Sequence, residues 1–135
     1  MSDQILRTVT ILAGALLLGV IAFQVALAAG VPWGRAAYGG GSAELAPAYR
    51  IASMVAVVVW TVVGLTVLRL GGFGLWTPIP DRYLSMAGWG IVGVLAISVV
   101  MNAITPSRIE RAIWLPTTVL LLTCVGAIVR YRTPS

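Results

Sequence analysis

Four long runs without a single charged residue dominate this chain. The first lies between Arg7 and Arg35 and is densest from Ile11 to Ala29. The second runs from Ile51 to Leu68, the third has its apolar part from Tyr83 to Asn102, and the fourth runs from Ala112 to Val129. A hydrocarbon core of about 30 Å takes about 20 helical residues at about 1.5 Å each, so each run is long enough to cross. None carries polar residues at every third or fourth position, as the surface helix of a soluble protein would. Inside lipid the backbone must satisfy its own hydrogen bonds, which makes these runs helices. A membrane barrel would need short alternating strands instead.

Composition agrees. The chain is 59% hydrophobic and 10% charged over 135 residues, against about 45–50% and about 25% in ordinary soluble domains. The length allows one domain, 1–135. The expected fold is all-α: an antiparallel bundle of four transmembrane helices, with spans near 8–29, 51–69, 83–103 and 108–129. Ala26-Leu27-Ala28 before Ala29 resembles a signal-peptidase site, but the apolar stretch exceeds the usual 7–15 residues of a signal core. A retained first span is therefore expected.

Helix ends are marked by local chemistry. Gly30 with Pro32 is a stop signal, as is Gly71-Gly72. Ser107-Arg108-Ile109-Glu110 has the spacing of a capping box, which starts the fourth helix at Arg108. Pro116 then falls inside it, removes one backbone bond and should bend it. Trp33, Tyr38, Tyr49 and Trp114 fall on the side of loops one and three; Trp76, Tyr83, Trp89 and Tyr131 fall on the other, giving two interfacial belts. Trp60 fits neither belt and needs an internal partner for its N–H. The patterns Pro47-Ala48-Tyr49-Arg50-Ile51 and Pro106-Ser107-Arg108-Ile109 each precede a span, which either chance or a duplicated hairpin would produce.

All nine basic residues are arginines, and the net charge is +5. They stand singly or in pairs between the apolar runs, as membrane-flanking anchors do, and not clustered as nucleic-acid binding requires. Four spans put both termini on one side. That side carries Arg7, Arg69, Arg82, Arg130 and Arg132, and the other Arg35, Arg50, Arg108 and Arg111. The slight excess places the termini in the cytoplasm and the chain in the plasma (inner) membrane.

Small residues recur along the spans: Ala15 and Gly19; Ala22, Ala26 and Gly30; Ala52, Ala56 and Gly64; Ala87, Gly90, Gly93 and Ala96. They let helices approach closely in lipid, and packing within the bundle is the expected use, an oligomer interface the other. Polar groups in the spans are few: Gln24, Ser53, Ser98 and Asn102, with Thr117 and Thr118 beside Pro116. Loop one is long for a helix connection and carries Arg35, Glu44, Arg50 and four glycines; loop three adds Glu110 and Arg111. A ligand site is therefore expected beneath loop one, from Gln24, Trp33, Arg35, Glu44, Arg50, Trp60, Asn102, Glu110 and Arg111. The competing account pairs the amides with neighbouring helices and the acids with nearby arginines in solvent.

Several chemistries are excluded. Without histidine there is no bis-histidine haem and no Ser–His hydrolase. One cysteine, Cys124, forbids an intrachain disulfide and a thiol–disulfide relay. No phosphate-cradling glycine loop with its lysine is present. No metal or cofactor is expected. Small multidrug transporters also have four spans, but they rely on a glutamate in the first, where this chain has only Gln24.

Three segments carry a resemblance: Ala28-Ala29-Gly30-Val31-Pro32-Trp33-Gly34-Arg35-Ala36-Ala37-Tyr38-Gly39-Gly40, then Arg50-Ile51-Ala52-Ser53, then Met101-Asn102-Ala103-Ile104-Thr105-Pro106-Ser107-Arg108-Ile109-Glu110-Arg111. With them the chain resembles small four-span bacterial membrane proteins of unknown function, over nearly its whole length. The resemblance implies the four-span fold and no activity or ligand. The first functional expectation is a non-catalytic scaffold or accessory subunit, partnered by the lipid bilayer and by further copies or a larger membrane complex. The alternative is a binder or carrier of an apolar or amphiphilic, lipid-like molecule. A multidrug-type transporter or a membrane enzyme built on Glu110, Arg111 and Asn102 ranks behind both.

Overall fold

The computed structural model describes residues 1–132; residues 133–135, part of the single domain expected from the sequence, lie outside it. Four helices are long and apolar enough to cross a membrane: α1 (Asp3–Ala29), α2 (Pro47–Leu70), α3 (Leu84–Ile104) and α4 (Arg108–Arg132). They form an antiparallel bundle of two hairpins, α1 with α2 and α3 with α4, joined across α1 and α4. Contact between α2 and α3 is the thinnest of the four neighbouring pairs.

The helices begin and end where local chemistry dictates. Ser2 caps α1, its Oγ accepting from the Ile5 N–H at 3.2 Å. Gly30, at φ 97°, closes α1: the Gly30 N–H donates to the Leu27 carbonyl and the Val31 N–H to that of Ala26, a Schellman closure. Gly72 closes α2 in the same way, with the Phe73 N–H on the Leu68 carbonyl. Proline occupies the first turn of α2, where its missing N–H costs nothing. α1 and α2 start several residues before the spans read from hydropathy: the Ser2 cap carries α1 beyond its apolar part, and Pro47 opens α2 with no side-chain cap. α4 runs unbroken through Pro116.

The arginines do more than anchor. The last carbonyls of a helix lack partners, and a cation there also meets the negative end of the helix dipole. Arg50 donates from Nε and Nη2 to the Ala28 carbonyl at the end of α1. Arg132 Nε donates to the Leu70 carbonyl that ends α2, at 2.8 Å. Arg111 Nη2 reaches the Thr105 carbonyl just past α3, at 2.7 Å. Arg50 lies in α2, and Arg111 and Arg132 in α4, and each reaches a carbonyl outside its own helix. At loop two, Arg69 pairs with Asp81 at 3.0 Å.

The buried core runs from mid-bundle to the termini: Leu17, Leu95 and Leu121 lie near the middle of their helices, and Val67, Val125, Ile128 and Val129 lie beyond them. α3 packs tightly at Gly88, where an added Cβ would lie 3.0 Å from the side chains of both Leu70 and Val129. Three of the small residues singled out in the sequence behave otherwise: Gly19, Gly90 and Gly93 are exposed, and an added Cβ there would meet nothing, whereas Gly64 is buried in α2. For those three the expected role within the bundle is not the observed one, because a glycine mediates close packing only on the face turned to a neighbour.

Candidate functional site

Loop one is folded back onto the bundle, and glycine makes this fold accessible. Two 3-10 turns, Gly34–Ala36 and Tyr38–Gly40, shape it. A Cβ on Gly34 would collide with the Ser42 carbonyl, so only glycine lets these strands of the loop cross. Tyr38, Gly39 and Gly40 follow one another at φ 49°, 81° and 71°. A tyrosine at positive φ is uncommon and costs on the order of 1–3 kcal/mol unless its surroundings hold it there. Several contacts do. The Tyr38 hydroxyl shares a 2.8 Å hydrogen bond with Ser53 Oγ in α2, and its ring stacks on Tyr49 at 4.7 Å.

α4 supplies the other half of the latch. The Gly39 N–H donates to Glu110 Oε2 at 2.9 Å. Ser107 Oγ donates to the Arg35 carbonyl at 2.6 Å, and the Trp114 indole N–H to the Ala36 carbonyl at 2.8 Å. The capping box expected at Ser107 is thus half formed. Ser107 Oγ accepts from the Glu110 N–H at 3.1 Å as an N-cap should. The reciprocal bond is absent: the Ser107 N–H is taken by Thr105 Oγ1, and the Glu110 carboxylate is diverted to loop one.

Beneath this cap lies a cavity of about 170 Å³. All four helices and loop one contribute: Phe23 and Gln24 from α1, Trp60 from α2, Ser98 and Asn102 from α3, Glu110, Trp114 and Thr118 from α4, and Ala36 to Tyr38 from the loop. Its floor is the aliphatic core at Val20 and Leu121. Gln24 stands five residues before the end of α1, roughly 8 Å along the axis, so the cavity sits in the loop-one half of the bundle. Asn102 Nδ2 is 3.5 Å from Thr118 Oγ1, a long contact. Gln24 Oε1 is buried and accepts no hydrogen bond among the described residues. An unpartnered buried acceptor costs about 1–3 kcal/mol.

Of the nine positions expected from the sequence to form a site, Gln24, Trp60, Asn102 and Glu110 converge on this cavity. The internal partner expected for the Trp60 indole N–H is not found among the described residues. The others do not line it. Trp33 is 54% exposed, its ring stacked over Phe23 at 6.3 Å. Arg35 donates to the Gly40 carbonyl within the loop. Arg50 and Arg111 are turned to the carbonyls of Ala28 and Thr105. Glu44 is exposed and borders a separate hollow in loop one. Sequence reasoning missed Phe23, and it placed Tyr38 and Trp114 in an interfacial belt. The Tyr38-Gly39-Gly40 run was the available signal, since a tyrosine beside two glycines marks a tightly folded loop.

Chemically the lining has one carboxylate, two carboxamides, three hydroxyls and four aromatic rings, and no arginine. It can hold a small molecule with an apolar body and hydrogen-bonding groups. No known protein family, curated protein or solved structure gives a match to this chain.

Proposed function

We propose that the protein binds a small amphiphilic molecule in the cavity beneath loop one, as a multi-pass protein of a bacterial plasma membrane with both termini cytoplasmic. The membrane assignment draws on the four apolar helices, and the bacterial setting on the resemblance and the arginine-only basic set. The orientation draws on the arginines of the termini side.

One observation carries the binding reading: a polar, aromatic-walled cavity inside an otherwise aliphatic bundle, with the buried Gln24 oxygen unpartnered. Binding sites are typically apolar hollows with a few placed polar groups. A scaffold gains nothing from an unsatisfied acceptor in lipid, whereas a ligand donor would offset its cost. The thin α2–α3 seam gives such a ligand a lateral route from the bilayer: Leu95 is fully buried on α3, while Ser98 and Asn102 beyond it are half-buried.

Native mass spectrometry after gentle detergent extraction tests this. The wild type should carry one defined small species, and Thr118→Phe, which fills the cavity, should release it. A wild type that emerges empty, or carries only bulk lipid, overturns the reading.

A second reading, an accessory subunit, is favoured by Gly90 and Gly93 of α3, which stand open toward lipid and would suit a partner helix. The same spectra would show it as a dimer or a co-purifying protein.

A further inference from the structure

The lining of the cavity is asymmetric in charge, and the arginines explain why. Arg35, Arg50, Arg108 and Arg111 crowd the loop-one end of the bundle, which by proximity alone would favour an anion. Yet Arg35, Arg50 and Arg111 are turned to the carbonyls of Gly40, Ala28 and Thr105, and although Arg111 Nε is buried without a partner among the described residues, none of the four lines the cavity. Glu110 does line it. Gly39 occupies its Oε2, and Oε1 makes no hydrogen bond among the described residues. The Gln24 oxygen adds a second acceptor. The walls are Phe23, Tyr38, Trp60 and Trp114, whose ring faces carry negative charge density that attracts a cation.

We propose that the ligand is a small organic ammonium ion with an apolar or aromatic body. Its N–H groups meet the Glu110 carboxylate and the Gln24 oxygen, and its body lies among the aromatic rings. This deepens the binding reading above and rests on it. Size fits: a cavity of about 150 Å³ holds a benzene ring, and this one is about 170 Å³. Charge neutralises on binding, since the one carboxylate of the cavity meets the one positive group of the ligand. Glu110 is part-buried there, and charge pairs in such a setting are screened less than at the surface.

Three probes of similar size decide it: benzylamine (cationic at neutral pH), benzyl alcohol (neutral) and benzoate (anionic). Each is titrated against the protein in lipid nanodiscs, with Trp33, Trp76 and Trp89 replaced by Phe so that the fluorescence reports Trp60 and Trp114. The expected order is benzylamine at least tenfold tighter than benzyl alcohol, with benzoate undetected. Glu110→Gln keeps an oxygen for the Gly39 N–H, so loop one stays latched. It should bring benzylamine to the level of the alcohol. Gln24→Leu, which does not touch the latch, should weaken benzylamine about tenfold and the alcohol less. Equal binding of amine and alcohol by the wild type, a preference for benzoate, or a preference for the amine that survives Glu110→Gln would each overturn the ammonium assignment alone. Failure of all three probes to bind the folded wild type would overturn the binding reading with it.

Discussion

The two halves of the bundle are built on different principles. From mid-bundle to the termini, Leu17, Val67, Leu95, Leu121, Val125 and Ile128 are nearly or fully buried and α2 touches α3 at Leu70 and Gly88. Toward loop one, the same helices part around a polar cavity, and cohesion comes from a hydrogen-bonded cap: Glu110 on Gly39, Ser107 on Arg35 and Trp114 on Ala36. In lipid, apolar helix faces gain no hydrophobic driving force by meeting each other, so association rests on packing and hydrogen bonds. The termini half uses the first and the loop-one half the second. The bundle can therefore hold a hollow at one end without coming apart.

The contrast is open to attack from both ends. The largest effect is expected from Leu17→Ala, which opens a void in the close-packed half. Such truncations cost 2–5 kcal/mol in soluble cores. In a bilayer the transfer part is reduced because the unfolded helices remain in hydrocarbon, so about 2 kcal/mol is expected. Unfolding of the purified protein by titrated denaturing detergent would measure it, and a cost near zero would mean this half is not tightly packed.

Next is Glu110→Ala, which removes the acceptor of the Gly39 N–H. A loss of about 1–2 kcal/mol is expected, confined to loop one. Hydrogen exchange should accelerate from Arg35 to Gly40 and stay slow in the C-terminal half of α4. Uniform acceleration would show that the halves are one cooperative unit. Arg50→Ala should cost about 1 kcal/mol, the value of a cationic cap on a part-buried helix end. Exchange at the last amides of α1 would report it, and unchanged exchange there would return Arg50 to a simple anchor.

The smallest effect, and the most diagnostic, is expected from Ser98→Leu. Enlarging a side chain in a full core costs about 1–3 kcal/mol. Into the cavity it should change stability by less than about 1 kcal/mol, measured by the same detergent unfolding. A loss as large as that from Leu17→Ala would show that the hollow has no room.

Much of this architecture follows from composition and local pattern. Runs of apolar residues interrupted by arginine and proline leave the backbone no alternative to helices in lipid. Gly30, Pro47 and Ser107 fix ends through interactions within a few residues, which a sequence carries explicitly. The site is legible only in part. Gln24, Trp60, Asn102 and Glu110 stand out because polar or amphipathic groups in or beside an apolar span are rare. Which other groups join them is not inscribed locally, because a helix that is apolar all round carries no periodicity to say which face turns inward. Phe23 and Val25 read alike, yet only Phe23 lines the cavity. Ser107 and Glu110 have capping-box spacing, yet the carboxylate reaches loop one instead.

The sequence by itself determined that the chain is four apolar helices with defined ends, because bilayer thickness and backbone hydrogen bonding act on each segment separately. Tertiary structure alone decided that three arginines close helix ends while Glu110 enters the cavity. The reason is geometric. A long side chain takes whichever unsatisfied group the folded neighbours bring within reach, and those neighbours, such as Arg132 and Leu70, lie far apart in the chain.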